Sequence, residues 1–138
     1  LLSNGKILKL FLFGRFDIAI LFSTFGVITS PVYCTKIASK IARTYTDRHG
    51  LKNLLSEILD VDISKQQQSS DWGAKHLSKA QIEYAATDVL YLHSLREKLT
   101  EMLTRENRSE LANECFKFLP SRAVLDIKGW NNIDIFEH

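Results

Sequence analysis

Cysteine, proline and methionine are all scarce in this sequence, and each shortage excludes something. Two cysteines among 138 residues, Cys34 and Cys115, lie outside any C-x-x-C or histidine-rich setting. That excludes a disulfide scaffold and a zinc ribbon, and leaves two buried free thiols as the expectation. The four histidines (His49, His76, His93 and His138) show no H-E-x-x-H or zinc-type spacing. No apolar run approaches the roughly 20 residues needed to span a bilayer. Residues 7–13 are too short for a secretory core and are broken by Lys9, so a cytoplasmic protein is expected. Charge of one sign is missing too. Eighteen Lys and Arg against 16 Asp and Glu give a net +2, too little to argue for a nucleic-acid partner by itself. Met102 is the only methionine, and the chain opens on Leu1-Leu2-Ser3. The expectation is a fragment, a split or eroded gene product, or a start assigned too late.

What is present is ordinary for a globular protein: 45% hydrophobic and 25% charged residues. A chain of this length can form one modest domain with a real core. Without a linker or internal repeat, residues 1–138 read as a single, partial domain. The stretch 65–95 organises it. Ser78-Lys79-Ala80-Gln81 has the S-x-x-Q form of a capping box, which satisfies unpaired N–H groups at a helix start. Tyr84 and Asp88 follow one turn apart on one face, beside an apolar stripe of Ala85, Val89, Leu92, Leu95 and Leu99. On spacing alone such a pair is more often a solvated or core-edge pair. A phenol and a carboxylate on a cleft wall also suit water activation beside a metal ion.

From the start, residues 1–4 read as the last turn of a helix stopped by Gly5, and residues 7–13 as a strand buried on both faces. Gly14 turns the chain into a helix over 16–25, apolar almost all round and so expected to be heavily buried. Asp17 falls in its first turn, beyond the strand's C-terminal end, where α/β sheets place their ligand sites. A helix-dipole or helix-capping carboxylate is the equal alternative. A second short strand covers 32–35, and Thr35 is placed to cap a helix over 36–43. Lys36, Lys40 and Arg43 share a face of that helix, either as a solvated surface or as a phosphate-positioning strip. Further helices are expected over 51–59, from Ser78 to about Glu106, and over 109–119, stopped near Pro120. Trp72 reads as a packing residue. Val124, Leu125, Ile127, Trp130 and Ile133 of the tail 122–136 should pack on the body.

The order Lys65-x-x-Gln68-x-Ser70-Asp71-Trp72, then a capped helix with Tyr84-x-x-x-Asp88, resembles the third exonuclease motif of the ribonuclease D family. That family belongs to the Tyr-containing branch of the DEDD 3′–5′ exonucleases. Phe11-Leu12-Phe13-Gly14-Arg15-Phe16-Asp17 resembles the second motif, with Leu12 and Phe13 where many relatives carry a polar residue. Residues 49–59 are similar to the helix that precedes the third motif. The resemblance covers about 7–136. It implies an α/β, ribonuclease H-like fold truncated at the N-terminus, with two short parallel strands and then mostly helices. It implies hydrolysis of phosphodiester bonds from single-stranded RNA 3′ ends with two Mg²⁺ or Mn²⁺ ions, roughly 3.5–4 Å apart in such sites.

By the same resemblance Asp17 serves one metal, Asp88 the other, and Tyr84 orients the water. An unperturbed phenol, with a pKa near about 10, stays protonated and acts by hydrogen bonding. Lys65, Gln68 and Ser70 are candidate substrate contacts, joined by Lys36, Lys40 and Arg43 of the basic strip. The family's first motif, Asp-x-Glu, is absent: nothing upstream of Asp17 is acidic. Paired hard cations need a cluster of carboxylates, so this chain alone is expected to be a poor or dead nuclease. The strand at 7–13 should keep an open edge, which invites a homodimer or a separately made N-terminal fragment. A non-catalytic RNA-binding or assembly module and a decayed gene product are the other readings.

Overall fold

The computed structural model describes residues 1–62, 73, 76 and 78–138, without the side chains of residues 80 and 83–89. The expectations placed on Lys65, Gln68, Ser70, Trp72 and the side chains of Tyr84 and Asp88 lie outside the described residues.

Two three-residue strands, Lys9–Phe11 (β1) and Val32–Cys34 (β2), pair in parallel, with Leu10 opposite Tyr33. The helix Gly14–Phe25 (α1) makes the crossover between them. The helices Thr35–Ala42 (α2), Leu51–Leu59 (α3), Lys79–Arg105 (α4) and Ser109–Leu125 (α5) follow. This is the α/β arrangement that the sequence implies: two short parallel strands and then mostly helices. No helix among the described residues is long and apolar enough to cross a membrane.

The strand expectation is corrected in length and burial. β1 covers only part of 7–13 and is half-buried, whereas β2 is buried at all three positions. The difference is positional: β2 is covered by α5, while one edge of β1 has no strand partner among the described residues. α1 is corrected in the same way. Ile18 and Ala19 are buried, but Phe16, Ile20 and Phe25 are 58%, 47% and 65% exposed. An apolar helix buries only the faces that have something to pack on, and here that is chiefly α5. At Gly14 a Cβ would sit 3.0 Å from Leu119 Cδ2 and 3.2 Å from Phe11 Cβ, so only hydrogen lets α5 close on the strand end. Gly26, at φ +67°, ends α1 in the left-handed conformation that glycine adopts at least cost.

Thr35 opens α2 rather than capping it; Cys34 precedes the helix in extended conformation and makes no side-chain cap. Its thiol instead accepts from Gly14 N at 3.4 Å, tying the two strand ends together. Cys34 is buried as expected, but Cys115 is partly exposed. At α4 the capping box forms as the spacing predicts: Ser78 Oγ accepts from Gln81 N at 3.1 Å, and Ser78 N donates to Gln81 Oε1 at 2.8 Å. Leu95, Leu99 and Leu103 bury its stripe, and Asn107, at φ +58°, breaks the helix.

Pro120 does not stop α5, which continues to Leu125. A proline inside a helix costs about 3 kcal/mol or more, and burial of Phe116, Leu119, Pro120 and Ala123 on one stripe offsets it. The tail departs from expectation as well. Ile127, Trp130 and Ile133 remain substantially exposed, and polar ties hold the segment: Arg122 donates to the carbonyls of Trp130 and Ile133. Residues 1–4 form turns, not helix.

Candidate active site and basic groove

Asp17 sits in the first turn of α1, just past the C-terminal end of β1. It is half-buried, and while its backbone N–H donates to Phe13 O at 3.5 Å, its carboxylate has no hydrogen-bond or ion-pair partner among the described residues. The capping half of the alternative fails on this geometry, since no side chain caps α1, whose N-cap is Phe13. The helix-dipole half stands, because Asp17 is the acidic residue of the first turn. Burial pushes the Asp17 carboxyl above the ordinary carboxylate range. A helix N-terminus favours negative charge by about 0.3–1 kcal/mol, and burial still prevails here. A lone half-buried carboxylate of this kind suits a hard divalent cation, which prefers oxygen ligands and would restore the charge that burial disfavours. It supplies one ligand only: among the described residues there is no group of three or more His, Cys, Asp or Glu able to hold a metal. The backbone of Tyr84 and Asp88 lies on α4, as the sequence expects.

The basic strip divides in two. Lys36 and Lys40 have no ion-pair partner among the described residues, and the Lys36 ammonium lies 4.3 Å from the centre of the Phe13 ring. Arg43 turns inward and is 2% exposed. It donates to Ser39 Oγ and to Arg48 O, each at 3.2 Å, and pairs with Glu57. The structure therefore takes Arg43 out of the strip and uses it to tie the end of α2 to Glu57 of α3 and to the loop between the two helices.

His49 completes that network, its Nδ1 2.7 Å from Ser39 Oγ. Burial first, and the Arg43 cation second, hold His49 below the usual imidazole value; a backbone hydrogen bond with Thr46 and the charge of Asp47 oppose the shift. A group whose folded pKa is depressed takes up its proton first in the unfolded chain. Stability should therefore fall as pH drops below about 6.5. Thermal unfolding at two pH values on either side should show this loss, and His49→Gln should reduce it.

A groove of about 370 Å³ opens at the C-terminal ends of both strands, with Phe13, Arg15, Cys34, Lys36, Lys40 and Arg122 among its walls. Sequence reasoning missed Arg15, Arg122 and Asp126. Asp126 accepts from Arg15 at 2.6 and 2.7 Å and from Arg122 at 3.2 Å, and Arg15 above all holds its carboxyl below the ordinary range. The spacing of Arg122 and Asp126 is a helical i,i+4 pair that the sequence could have disclosed. Arg15, 111 residues from Asp126, left no such signal.

A family model described as 3′–5′ exonuclease matches residues 1–104. Ribonuclease D of Acidiphilium cryptum is 38% identical over 114 residues, covering 83% of this chain and 29% of that protein. Among solved structures, Brucella melitensis NrnC with bound Mg²⁺ is 58% identical with a TM-score of 0.91, and NrnC bound to pGG is 59% identical with a TM-score of 0.92. Each match covers 100% of this chain and 67% of NrnC. The chain thus spans less than a third of the curated relative and about two thirds of NrnC.

Proposed function

Because this chain belongs to the 3′–5′ exonuclease family and is ribonuclease D-like, we propose that it acts in metal-dependent removal of nucleotides from RNA 3′ ends, in the cytoplasm. The observation that carries the reading is the partnerless, half-buried carboxylate of Asp17 at the strand end, inside the segment that the family matches. Asp17 and Asp88 are the proposed ligands for Mg²⁺ or Mn²⁺. Tyr84 orients the attacking water, donating or accepting a hydrogen bond without giving up its proton. Lys65, Gln68 and Ser70 are the proposed contacts to the RNA strand. When bound, the cations would offset charge on the scissile phosphate and make water more acidic. The Mg²⁺-bound form of NrnC supports the cofactor, and its complex with pGG supports an RNA substrate.

No acidic residue precedes Asp17, so nothing in residues 1–16 can stand in for the Asp-x-Glu pair of relatives. Fewer carboxylates hold two cations weakly. The reading is therefore of an impaired nuclease in this chain alone, and of a β1 edge, without a strand partner among the described residues, open to a second copy or to an N-terminal fragment. The same gap favours a second reading, an RNA-binding module without turnover. A 5′-labelled single-stranded RNA incubated with the chain and Mn²⁺ tests both. We expect slow, chelator-sensitive shortening from the 3′ end, at about 1% or less of the NrnC rate, since losing about 3 kcal/mol of transition-state stabilisation costs about a hundredfold. Shortening from the 5′ end, or shortening that survives chelator, overturns the exonuclease. Parity with NrnC overturns the impairment. Tight RNA binding with no shortening selects the second reading.

A further inference from the structure

The groove at the strand ends is not used by the chemistry at Asp17. Its walls carry four cations, Arg15, Lys36, Lys40 and Arg122, and no carboxylate, although the whole chain nets only +2. Arg15 and Arg122 are committed to Asp126, and Arg122 Nε is buried with no hydrogen-bond partner. Lys36 and Lys40, one turn apart on α2, have no ionic partner among the described residues. Between the cations the lining is apolar: the Phe13 ring on one side, and Ile37 and Leu119 beneath. The volume, about 370 Å³, is at the small end of ordinary ligand sites, where a single nucleotide unit fits.

Position links this groove to Asp17. Arg15 lines it, and Asp17, two residues further on, points about 200° round the helix axis. The two sites therefore flank the same turn of α1. Phe13, in the groove wall, and Phe16, next to Asp17 in sequence, are both exposed, and their rings are parallel to within 5° with centroids 6.3 Å apart. Aromatic rings beside ammonium groups that have no ion-pair partner are how proteins track a single nucleic-acid strand: bases stack on rings and phosphates meet cations. A base on Phe13 would displace the Lys36 ammonium, now 4.3 Å from that ring, toward the phosphate. We propose that the groove receives a nucleotide of the RNA strand a few positions from the bond at Asp17, its base against Phe13 and its phosphate between Lys36 and Lys40. This deepens the nuclease reading and rests on it for the identity of the strand.

The test is equilibrium binding of a fluorescein-labelled single-stranded RNA to the full chain in chelator, where no hydrolysis occurs, across a range of salt. The double variant Lys36→Glu/Lys40→Glu should bind at least about tenfold more weakly, and its log–log salt slope should flatten by about 1.4, the loss of two single-strand phosphate contacts. Phe13→Ala should weaken binding severalfold with the slope unchanged, because stacking releases no counterions. Lys6→Glu/Lys128→Glu makes the same change in net charge on exposed residues outside the groove, and should shift affinity by less than about threefold. If the groove variant binds as well as this control, or if the unaltered chain does not bind the RNA, the proposal is overturned. Circular dichroism screens the variants for folding, and Lys36→Gln/Lys40→Gln replaces any reversal that fails to fold. Absence of hydrolysis with the groove effect intact counts against the nuclease reading and supports the groove.

Discussion

Asp17→Asn should make the metal-free protein more stable while removing whatever hydrolysis it performs. The sign follows from burial. The folded carboxyl is harder to ionise than the unfolded one. Its contribution to stability is present in full only below the unfolded pKa, and is lost as pH rises through the folded pKa. At neutral pH the ionised Asp17 thus costs stability, with no cation among the described side chains to offset it. Asparagine keeps the shape and sheds the charge, so the melting temperature should rise by about 1–3 °C, the scale of a fraction of a kcal/mol in a domain this size. The gain should vanish at pH 3, where both forms are neutral. Added Mn²⁺ should raise the melting temperature of the parent chain, by mass action on the folded state, and raise that of the variant, which keeps only Asp88 of the proposed ligands, by less than half as much. Residual RNA shortening should drop at least about a hundredfold, since metal-borne charge stabilisation is worth several kcal/mol. A melting temperature that falls on substitution, or a Mn²⁺ response that is undiminished by it, would show that Asp17 is a structural carboxylate.

Arg43→Ala carries the largest expected loss of stability. The guanidinium is almost wholly buried and serves Ser39, the Arg48 carbonyl and Glu57 at once, next to the Ser39–His49 contact. Removing one member of a buried, hydrogen-bonded ion pair costs about 3–5 kcal/mol, because the partners stay behind without it. Glu57 is partly solvated, which places the expectation near the lower bound, about 3 kcal/mol. Urea unfolding should show the midpoint falling with the slope retained. Arg43→Lys should recover less than half of the loss, since a single ammonium cannot reach three partners in the geometry of a planar fork. A variant within about 0.5 kcal/mol of the parent would mean that the network contributes little beyond what solvent supplies. RNA binding should be nearly unaffected, in contrast to the groove lysines, because Arg43 faces the interior.

The elements that read correctly from sequence are those fixed by near neighbours. The capping box at Ser78, the helix Leu51–Leu59 with its four leucines and one isoleucine, and the break at Asn107 each depend on residues within a turn or two, so short-range pattern sufficed. The errors share a cause: burial and continuation depend on what lies opposite. α1 has an apolar sequence all round, and only tertiary context tells which rings stay in solvent. α5 runs through Pro120 because its far side meets α1 and β2. Arg43 and Lys36 sit at equivalent places in a helical pattern, yet one is buried against α3 and the other meets a phenyl ring. Asp17 was legible through its motif and its place after a strand. The basic groove was not, because its walls come from segments separated by most of the chain.

That separation sets an order of events. Arg15 holds the start of α1 to the tail through Asp126, closing a loop of most of the polypeptide. Loop closure on this scale grows costlier with length, if slowly, and requires both ends to exist. During synthesis, which proceeds from the N-terminus, the turn bearing Asp17 must therefore wait for Asp126, 111 residues beyond Arg15, before its clasp can fasten. The helix that carries Asp17 is made well before the partner that locks it in place.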